Sequence, residues 1–469
     1  MHRLRPSPLK AIAVATALSL AGCAAVGPNY QRPDIQAPVA FKEAQGEWVR
    51  AVPADTLERG PWWTLFKDPD LDGLAPQVEV SNQNIAAAVA AYAQARALVA
   101  QQRALLFPLV TLDGSASRAG AGGGKTPARN SYQFSIGGSW EPDLWGQLAR
   151  GVEGARAAQQ ASQAELEAAR LSSQGELAID YFNLRELDAQ QALQLQTIEG
   201  YVRSLRITQN RYNSGIAART DVLQAQTQLA NAQADLLGLE RQRAALEHAI
   251  AVLIGKAPAD FGLAARPAWQ GVVPDIPLDV PSTLLQRRPD VAAAERRVAQ
   301  ANEQIGIAQS AFFPSLRLSG SAGLGAATVG DLFSASALAW SLGASLAQTI
   351  FDAGARGARV ESARASLDQS AARYRQTVLT AFQDVEDQLV AARILQQQLV
   401  LREEAAQAAN LVEQQVLNRY QAGQVSFTEV ITAQITAQNA RRAVAQALSD
   451  RQVAAVALIQ ALGGGWRGL

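Results

Sequence analysis

Long helical stretches account for most of this chain. Apolar residues recur at three- and four-residue spacings over six segments that lack paired Pro and Gly residues, at about 74–106, 148–213, 220–253, 284–312, 354–420 and 428–462. Two of these segments have about 65 residues, which corresponds to about 100 Å of helix. Ala and Gln alternate there with scattered Leu and charged residues, so each helix presents a half-apolar surface. Such surfaces favour helix-against-helix walls of the coiled-coil type over one thick core.

A different pattern lies between the first and second helix of each half. Four runs of about ten residues, at about 109–118, 131–141, 314–324 and 338–349, alternate apolar with small polar side chains. In the first run, for example, Val110 and Leu112 alternate with Thr111 and Asp113. This length and this alternation are typical of transmembrane β-strands. The alternative is a soluble sandwich, which would need more strands and a second sheet.

The second half of the chain repeats the first. The segment 210–215, Asn-Arg-Tyr-Asn-Ser-Gly, returns at 418–423 as Asn-Arg-Tyr-Gln-Ala-Gly, and Phe107-Pro108 returns as Phe313-Pro314. The predicted organisation is therefore repeat 1 at 74–254, a Pro-rich linker at 255–283 and repeat 2 at 284–469. An extended N-terminal segment at 23–73 precedes the repeats, and we expect it to lie outside the helical tube with the linker.

The predicted strands require oligomerisation. Four strands cannot close a barrel, and an open sheet edge is not stable in lipid. Two chains would give eight strands, a barrel that its own side chains fill, whereas three chains give twelve strands and room for water. The same three chains align twelve helical columns, four from each. The sequence thus predicts a mixed α/β membrane protein, mainly α, that forms a trimeric 12-strand β-barrel continuing into a 12-helix coiled-coil barrel.

Composition excludes several other functions. Lys plus Arg and Asp plus Glu both number 42, so no basic excess indicates nucleic acid. The chain has one Cys, one Met and two His, of which His2 lies in the leader. It shows no Gly-rich phosphate loop and no nucleophile–base set. We expect no catalytic residue, no metal site and no cofactor other than a covalent lipid.

The N-terminus predicts that lipid. Basic residues occur up to Lys10, an apolar run of about eleven residues follows, and the run ends in Leu20-Ala21-Gly22-Cys23. The run is too short to span a bilayer. The segment resembles a bacterial lipoprotein signal covering 1–22, with Cys23 as the lipidated first residue of the mature chain. An ordinary secretory signal followed by an incidental Cys is the alternative. Ala24, in place of Asp, implies sorting to the outer membrane.

Several motifs together resemble the TolC-like outer-membrane factors, specifically the lipoprotein (NodT-type) channels. These are Val-Gly-Pro-Asn-Tyr-Gln-Arg-Pro at 26–33, Trp-Trp-Thr-Leu-Phe-Lys-Asp-Pro-Asp-Leu at 62–71, Trp-Glu-Pro-Asp-Leu-Trp-Gly at 140–146, and Pro-Ser-Thr-Leu-Leu-Gln-Arg-Arg-Pro-Asp-Val at 281–291. The resemblance covers essentially the whole mature chain. It implies a barrel in the outer membrane of a Gram-negative bacterium and helices in the periplasm. It also implies a periplasmic membrane-fusion adaptor and an inner-membrane pump of the resistance-nodulation-division type as partners.

The two repeated turn motifs join each long helix to its returning helix, and we expect them at the periplasmic tip. In the family, polar and charged side chains close this tip at rest. Candidate gate residues are Arg211, Tyr212, Arg219, Asp221, Glu413, Arg419, Tyr420 and Glu429. The same motifs also predict helix termini, with Gly215 and Gly423 ending helices and Thr220 and Thr428 capping the next ones.

Some expectations concern the membrane boundary and the cargo. Trp140, Trp145, Trp340 and Phe351 flank the strands and could form an aromatic girdle or ordinary packing. Arg150 and Arg356 begin the long helices, either as interface anchors or on a solvated face. The predicted function is a passive exit duct for drugs or other small toxic compounds. Type I protein secretion and heavy-metal efflux are the alternatives, and a periplasmic adaptor without a pore is opposed by the four strands.

Overall fold

The computed structural model of the protein describes residues 25–38, 40–43, 61–120, 128–269, 271–274 and 288–464. The predicted signal peptide and Cys23 lie outside these residues, as do parts of the N-terminal segment and the end of the linker. Within the described part the helices are α1 (Pro69–Ser81), α2 (Gln83–Ala104), α3 (Gln147–Asn213), α4 (Arg219–Leu253), α5 (Pro289–Ser310), α6 (Ala355–Gln421) and α7 (Phe427–Ala461). The strands are β1 (Leu109–Ala119), β2 (Arg129–Trp140), β3 (Ser315–Ala326) and β4 (Leu338–Ala347).

The predicted helix at 74–106 is wrong as a single element. Helix α1 begins earlier, at Pro69, because Asp68 Oδ1 accepts the N–H groups of Asp70 (3.0 Å) and Leu71 (3.3 Å). The chain then breaks at Asn82, whose Oδ1 accepts the N–H group of Ile85 (3.2 Å) and so caps α2. The other predicted helices end within a few residues of the observed ends.

The four strands form one antiparallel sheet in the order β1-β2-β3-β4. The pairing places even-numbered residues on one face and odd-numbered residues on the other, as in Leu112↔Ile136 and Asp113↔Ser135. The even face carries the large apolar side chains, and many of them are exposed, including Leu342 and Trp340. The odd face carries mainly Ser and Gly. The predicted alternation of the strands is therefore present in three dimensions.

The chain forms two compact units. The first comprises the described residues within 1–35, 91–163 and 293–375, and it contains the sheet. In this unit Arg150 is buried. It forms an ion pair with Glu303 (2.7 Å) and donates to the carbonyl oxygens of Gly27 (3.0 Å) and Pro28 (3.1 Å). Gly27 has φ +105°, and a Cβ there would lie 2.5 Å from the Cα of Gly306, so only glycine fits this approach. Arg150 thus holds the segment after Cys23 and is not on a solvated face.

The second unit comprises the described residues within 36–90, 164–292 and 376–469. Its largest apolar cluster is rich in aromatic side chains. Phe66 and Phe182 lie 4.9 Å apart between ring centroids, and Trp62 packs edge-on against Phe66 at 6.3 Å. The cluster joins the short 3-10 helix Trp62–Phe66 to α1, α3, α4 and α7. The Trp-Trp-Thr-Leu-Phe motif is therefore a packing motif.

None of the helices in the described ranges has an apolar stretch long enough to span a membrane.

Candidate functional site

Helices α3 and α6 end in the same way. Gly215 has φ +71° and Gly423 has φ +76°, values that favour glycine. After α3, the N–H group of Ile216 donates to the carbonyl of Arg211 (2.8 Å); after α6, Gln424 donates to Arg419 (2.9 Å). These bonds satisfy carbonyls that the helix leaves unpaired. The prediction that the two glycines end helices is confirmed.

The predicted caps are wrong. Helix α4 begins at Arg219, and its N-cap residue is Ala218, which offers no side-chain bond, so Thr220 already lies inside the helix. Helix α7 begins at Phe427 with Ser426 as its N-cap. The carboxylate of Glu429 accepts the N–H group of Ser426 at 3.3 Å. Ser426-x-x-Glu429 has the sequence form of a capping box, and this signal was available from the sequence.

Arg211 connects the two turns. Its Nη1 donates to the carbonyl oxygens of Tyr420 (3.0 Å) and Gln421 (3.2 Å), the last residues of α6. Its guanidinium carbon lies 4.9 Å from the centroid of the Tyr420 ring. The contact therefore combines two charge-assisted hydrogen bonds with a cation–π interaction. The negative end of the α6 dipole adds to the attraction.

Tyr420 is held from several sides. Its side chain is 3% exposed, and its ring lies 5.4 Å from the ring of Phe427. Its hydroxyl lies 3.4 Å from Thr208 Oγ1 on α3. Val430 and Ala225 complete the apolar cluster around it. Tyr420 thus packs repeat 2 against repeat 1 at the turns.

The other candidates are not gathered with this pair. Tyr212 is 40% exposed, and Arg219, Arg419 and Glu429 are exposed as well. Asp221 is half-buried near the start of α4, where its N–H group donates to Ala218. Glu413 pairs with Arg441 of α7. The structure therefore brings together Arg211 and Tyr420, whereas the equivalent pair Arg419 and Tyr212 makes no such contact within the chain.

A buried charge network in the second unit was not predicted. Arg185, in the middle of α3, is fully buried and pairs with Asp188 (2.7 Å) and Asp70 (2.6 Å). It also donates to the carbonyl of Ala264 (2.8 Å). Arg243 of α4 pairs with Asp188 from the other side (2.7 Å). The network fastens residues 263–266 of the linker to α3 and α4.

Asp68 joins this network to the aromatic cluster. Its carboxylate accepts the Tyr181 hydroxyl (2.7 Å) and the indole N–H group of Trp269 (2.9 Å). Burial alone would raise the pKa of Asp68, but the bonds from Tyr181 and Trp269 and from two backbone N–H groups outweigh it and hold the pKa below its ordinary value. Asp68 is therefore a charged structural anchor. Within the described residues no group of three His, Cys, Asp or Glu side chains could hold a metal ion.

Comparison with known proteins decides the family. The chain matches the family described as outer membrane efflux protein over residues 74–256 and 280–464. It is 31% identical to the antibiotic efflux pump outer membrane protein ArpC of Pseudomonas putida, across 96% of this chain and 94% of ArpC. The chain belongs to the outer membrane efflux protein family. It is also similar to the cation efflux system protein CusC of Escherichia coli O6:H1, with 28% identity over 98% of this chain and 100% of CusC.

A solved structure agrees with this assignment. The outer-membrane channel OprN superposes with a TM-score of 0.84 and 31% identity, covering 94% of this chain and 99% of OprN. The predicted fold class, localisation and partners are confirmed with the family. The protein is an outer-membrane exit channel of a tripartite efflux system, a homotrimer that works with a periplasmic adaptor and an inner-membrane pump. Its barrel takes four strands from each chain, twelve in all.

The aromatic candidates divide into two groups in this fold. Trp140 lies on the apolar face and donates its indole N–H group to the carbonyl of Leu106 (3.0 Å), and Trp340 on the same face is 73% exposed. Phe351 is exposed beyond β4. Trp145, in contrast, stacks on Phe313 at 4.7 Å and bonds to the carbonyl of Pro314, so it is a packing residue.

Proposed function

We propose that this channel is a passive exit duct for drugs or other small organic toxic compounds, and that the Arg211–Tyr420 contact helps to hold its periplasmic end closed at rest. On this proposal the chain carries out no catalysis and needs no metal and no cofactor, because the pump supplies the energy. The observation that supports the gate is the bridge from Arg211 to the end of α6, which ties the turn of repeat 1 to the turn of repeat 2.

The strength of this bridge suits a gate. A hydrogen bond from a charged donor contributes about 1.5–3 kcal/mol when buried, and a cation–π contact at an exposed site adds about 0.5–1 kcal/mol. Arg211 is only half-buried, so we take about 2 kcal/mol for the whole contact in each chain. Three chains then contribute about 6 kcal/mol, close to the roughly 5.5 kcal/mol that moves a two-state equilibrium from 99:1 to 1:99. An adaptor that binds the open tip better could reverse a bias of this size.

The remaining Arg–Tyr combination of the two motifs, Arg419 of repeat 2 with Tyr212 of repeat 1, fits a contact between chains. Arg419 and Tyr212 have the same spacing in the motif as Arg211 and Tyr420, yet both are exposed in one chain. In a threefold ring the turn of repeat 2 faces the turn of repeat 1 of the next chain. Arg419 would there meet the Tyr212 of a neighbour. Arg219 and Asp221 lie at the same tip, whereas Glu413 and Glu429 support it through Arg441 and Ser426.

Single-channel recording in planar bilayers tests the gate. Arg211→Ala should raise the open probability at least tenfold, because each of three bridges is lost. Arg211→Lys should lie between wild type and Ala, since an ammonium group keeps the charge but loses the planar stacking on Tyr420. Arg419→Ala should lengthen openings if that residue bridges two chains.

Arg206→Ala is the matched control for these recordings. Arg206 is an exposed arginine on the same helix, five residues before Arg211, and its removal should leave the traces unchanged. The variants should all migrate as trimers, which excludes misassembly as the cause. Traces of Arg211→Ala that match those of wild type would exclude this residue from the gate.

The cargo proposal depends on the chemistry of the side chains. ArpC is named for antibiotic efflux and CusC for cation efflux, so similarity alone permits both cargoes. Soft metal ions prefer Cys, Met and His ligands. This chain has one Met, at position 1, one Cys, at position 23, and two His. That composition favours organic cargo, and heavy-metal efflux is the alternative.

We also propose that Cys23 carries the lipid anchor. The chain has no second cysteine, and Cys23 stands at the end of the apolar leader. The described chain begins two residues later, and the N–H group of Val26 donates to the carbonyl of Trp145 (3.0 Å). Trp145 in turn bonds to the residue just before β3. Three residues span at most about 10 Å, so the lipid would enter the membrane close to the base of the sheet.

A further inference from the structure

The polar face of the sheet carries very few charges. The strands contain four charged residues in total, which are Asp113, Arg118, Arg129 and Arg317. The pairing Arg118↔Asn130 places Arg118 on the even, apolar face. The other three charges lie at odd positions on the polar face, among Ser, Gly, Ala, Thr and Gln and one leucine, Leu109. Each chain therefore offers two cations and one anion on this face.

These three charges lie at well-separated levels. Asp113 on β1 pairs with Ser135 on β2, and Ser135 pairs with Gly323 on β3. Asp113 therefore lies level with Gly323, which follows Arg317 on β3 by six residues. Arg129 pairs with Ala119, six positions beyond Asp113 on β1. Six residues of a strand span about 20 Å, more than twice the screening length of about 8 Å at physiological ionic strength. Within one chain the charges therefore act separately and form no ion pair with one another.

The barrel turns these levels into rings. In a membrane barrel the apolar face contacts lipid and the polar face lines the bore. Three chains then contribute three copies of each charge, all at the level of that charge. We propose that the bore carries three charge bands, with Arg129 next to the β1–β2 hairpin, Asp113 in the middle and Arg317 at the base of β3, and that these bands set the local preference for small cations or anions.

The local chemistry of the middle band supports this assignment. Asp113 is exposed, and its Oδ2 accepts the hydroxyl of Thr111, a neighbour on the same face, at 3.1 Å. The flanking row includes Ser321 and Ser341, whose hydroxyl oxygens are 2.9 Å apart. Hydroxyl groups provide a hydrated wall without opposing charge, so a small ion near Asp113 meets a net negative potential. Arg317 is likewise exposed, with the neutral Ser345 opposite it.

Thiol labelling at single engineered cysteines measures these potentials directly. Wild type gives the background, because Cys23 is the only cysteine of the chain. Ser135→Cys places a thiol opposite Asp113, and Ser345→Cys places one opposite Arg317. Cells or proteoliposomes are exposed to a cationic methanethiosulfonate (trimethylammonioethyl) and to an anionic one (sulfonatoethyl), and the two rates are compared at low salt.

The expected result is a reversal between the two levels. Cross-strand Cβ atoms lie about 5 Å apart. At this distance in water, one unit charge changes the labelling rate of each charged reagent several-fold, and it changes the two rates in opposite directions. The cation-to-anion rate ratio of Ser135→Cys should therefore fall about tenfold when Asp113→Asn is added. The ratio of Ser345→Cys should rise by a similar factor when Arg317→Gln is added.

Arg118→Gln is the matched control, because Arg118 lies on the opposite face and should change neither ratio. Two results would overturn the proposal. If neither cysteine reacts with either reagent in correctly assembled trimers, the polar face does not line a bore. If both react but neutralising Asp113 and Arg317 leaves the ratios unchanged, the bands do not act on small ions. Neither result depends on the gate or on the identity of the cargo.

Discussion

The buried network around Arg185 allows the sharpest prediction of stability. Arg185→Met removes a fully buried cation that pairs with Asp188 and Asp70 and donates to the carbonyl of Ala264. The substitution leaves Asp188 with Arg243 as its one cation partner, and it leaves the Ala264 carbonyl without this donor. Breaking a buried ion pair by removing one partner costs about 3–5 kcal/mol. Because Arg243 still pairs with Asp188 and Arg266 still pairs with Asp70 (3.1 Å), we expect the lower value, about 3 kcal/mol.

Amide hydrogen exchange is the assay, because the network fixes identifiable N–H groups. Arg266 donates its N–H group to Asp188 (3.0 Å), and Leu263 donates its own to Glu247, a neighbour of Arg243. A loss of about 3 kcal/mol in the free energy of local opening should speed exchange of these amides roughly a hundredfold. Arg185→Lys retains the charge but not the fork of donors, so we expect an intermediate increase.

The control for this experiment is Arg170→Met on the same helix. Arg170 pairs with Glu167 at 3.0 Å, but both side chains are more than a third exposed, at 40% and 34%. Such pairs contribute less than about 1 kcal/mol, and exchange at Leu263 and Arg266 should stay near that of wild type. If Arg185→Met changes exchange at these two amides by less than threefold, the network does not fasten the linker.

Two further predictions concern the anchor and the cargo. Mass spectrometry of the purified protein should find an N-terminal peptide that begins at Cys23 and carries lipid, and a bare thiol or a different N-terminus would contradict the anchor. Deletion of the gene should lower the minimal inhibitory concentration of lipophilic antibiotics several-fold and leave that of silver and copper ions unchanged. The opposite pattern would favour metal efflux.

The parts of this fold that could be predicted from sequence are those whose signal is local. The alternation of apolar and polar residues located the four strands within a few residues. The glycines at 215 and 423 located the ends of the two long helices equally well. The break at Asn82 was missed because the segment 74–106 contains no Gly. The second helix is capped there by the side chain of Asn82, which accepts the N–H group of Ile85. Arg185 was missed because a charge in a long helix is usually solvated, and its partner Asp70 lies 115 residues away in sequence.

Equivalent arginines of the two repeats are buried to different extents. Arg185 of α3 and Arg393 of α6 lie 208 residues apart, at the same position in their helices. Each binds a carboxylate from the N-terminal segment before repeat 1: Arg185 binds Asp70, and Arg393 binds Glu43 at 2.7 Å. Both acids belong to a part of the chain that was not duplicated. One arginine is consequently fully buried, whereas the other has a side chain that is 35% exposed.

The turns differ for a related reason. Arg211 of repeat 1 contacts Tyr420 of repeat 2, which follows it in the same chain. An equivalent contact of Arg419, in repeat 2, would require a further repeat after it, and a single chain has two repeats. On the gate proposal, a threefold assembly supplies that missing repeat, because the neighbouring chain places the turn of its repeat 1 beside Arg419. Duplication alone would make six equal turns in the trimer, and the N-terminal segment and linker reduce this symmetry to threefold. If Arg419 contacts Tyr212 of the neighbouring chain as proposed, that contact differs in its surroundings from the Arg211–Tyr420 contact, although the two motifs are nearly identical. The recordings of Arg211→Ala and Arg419→Ala should then differ in the size of their effect.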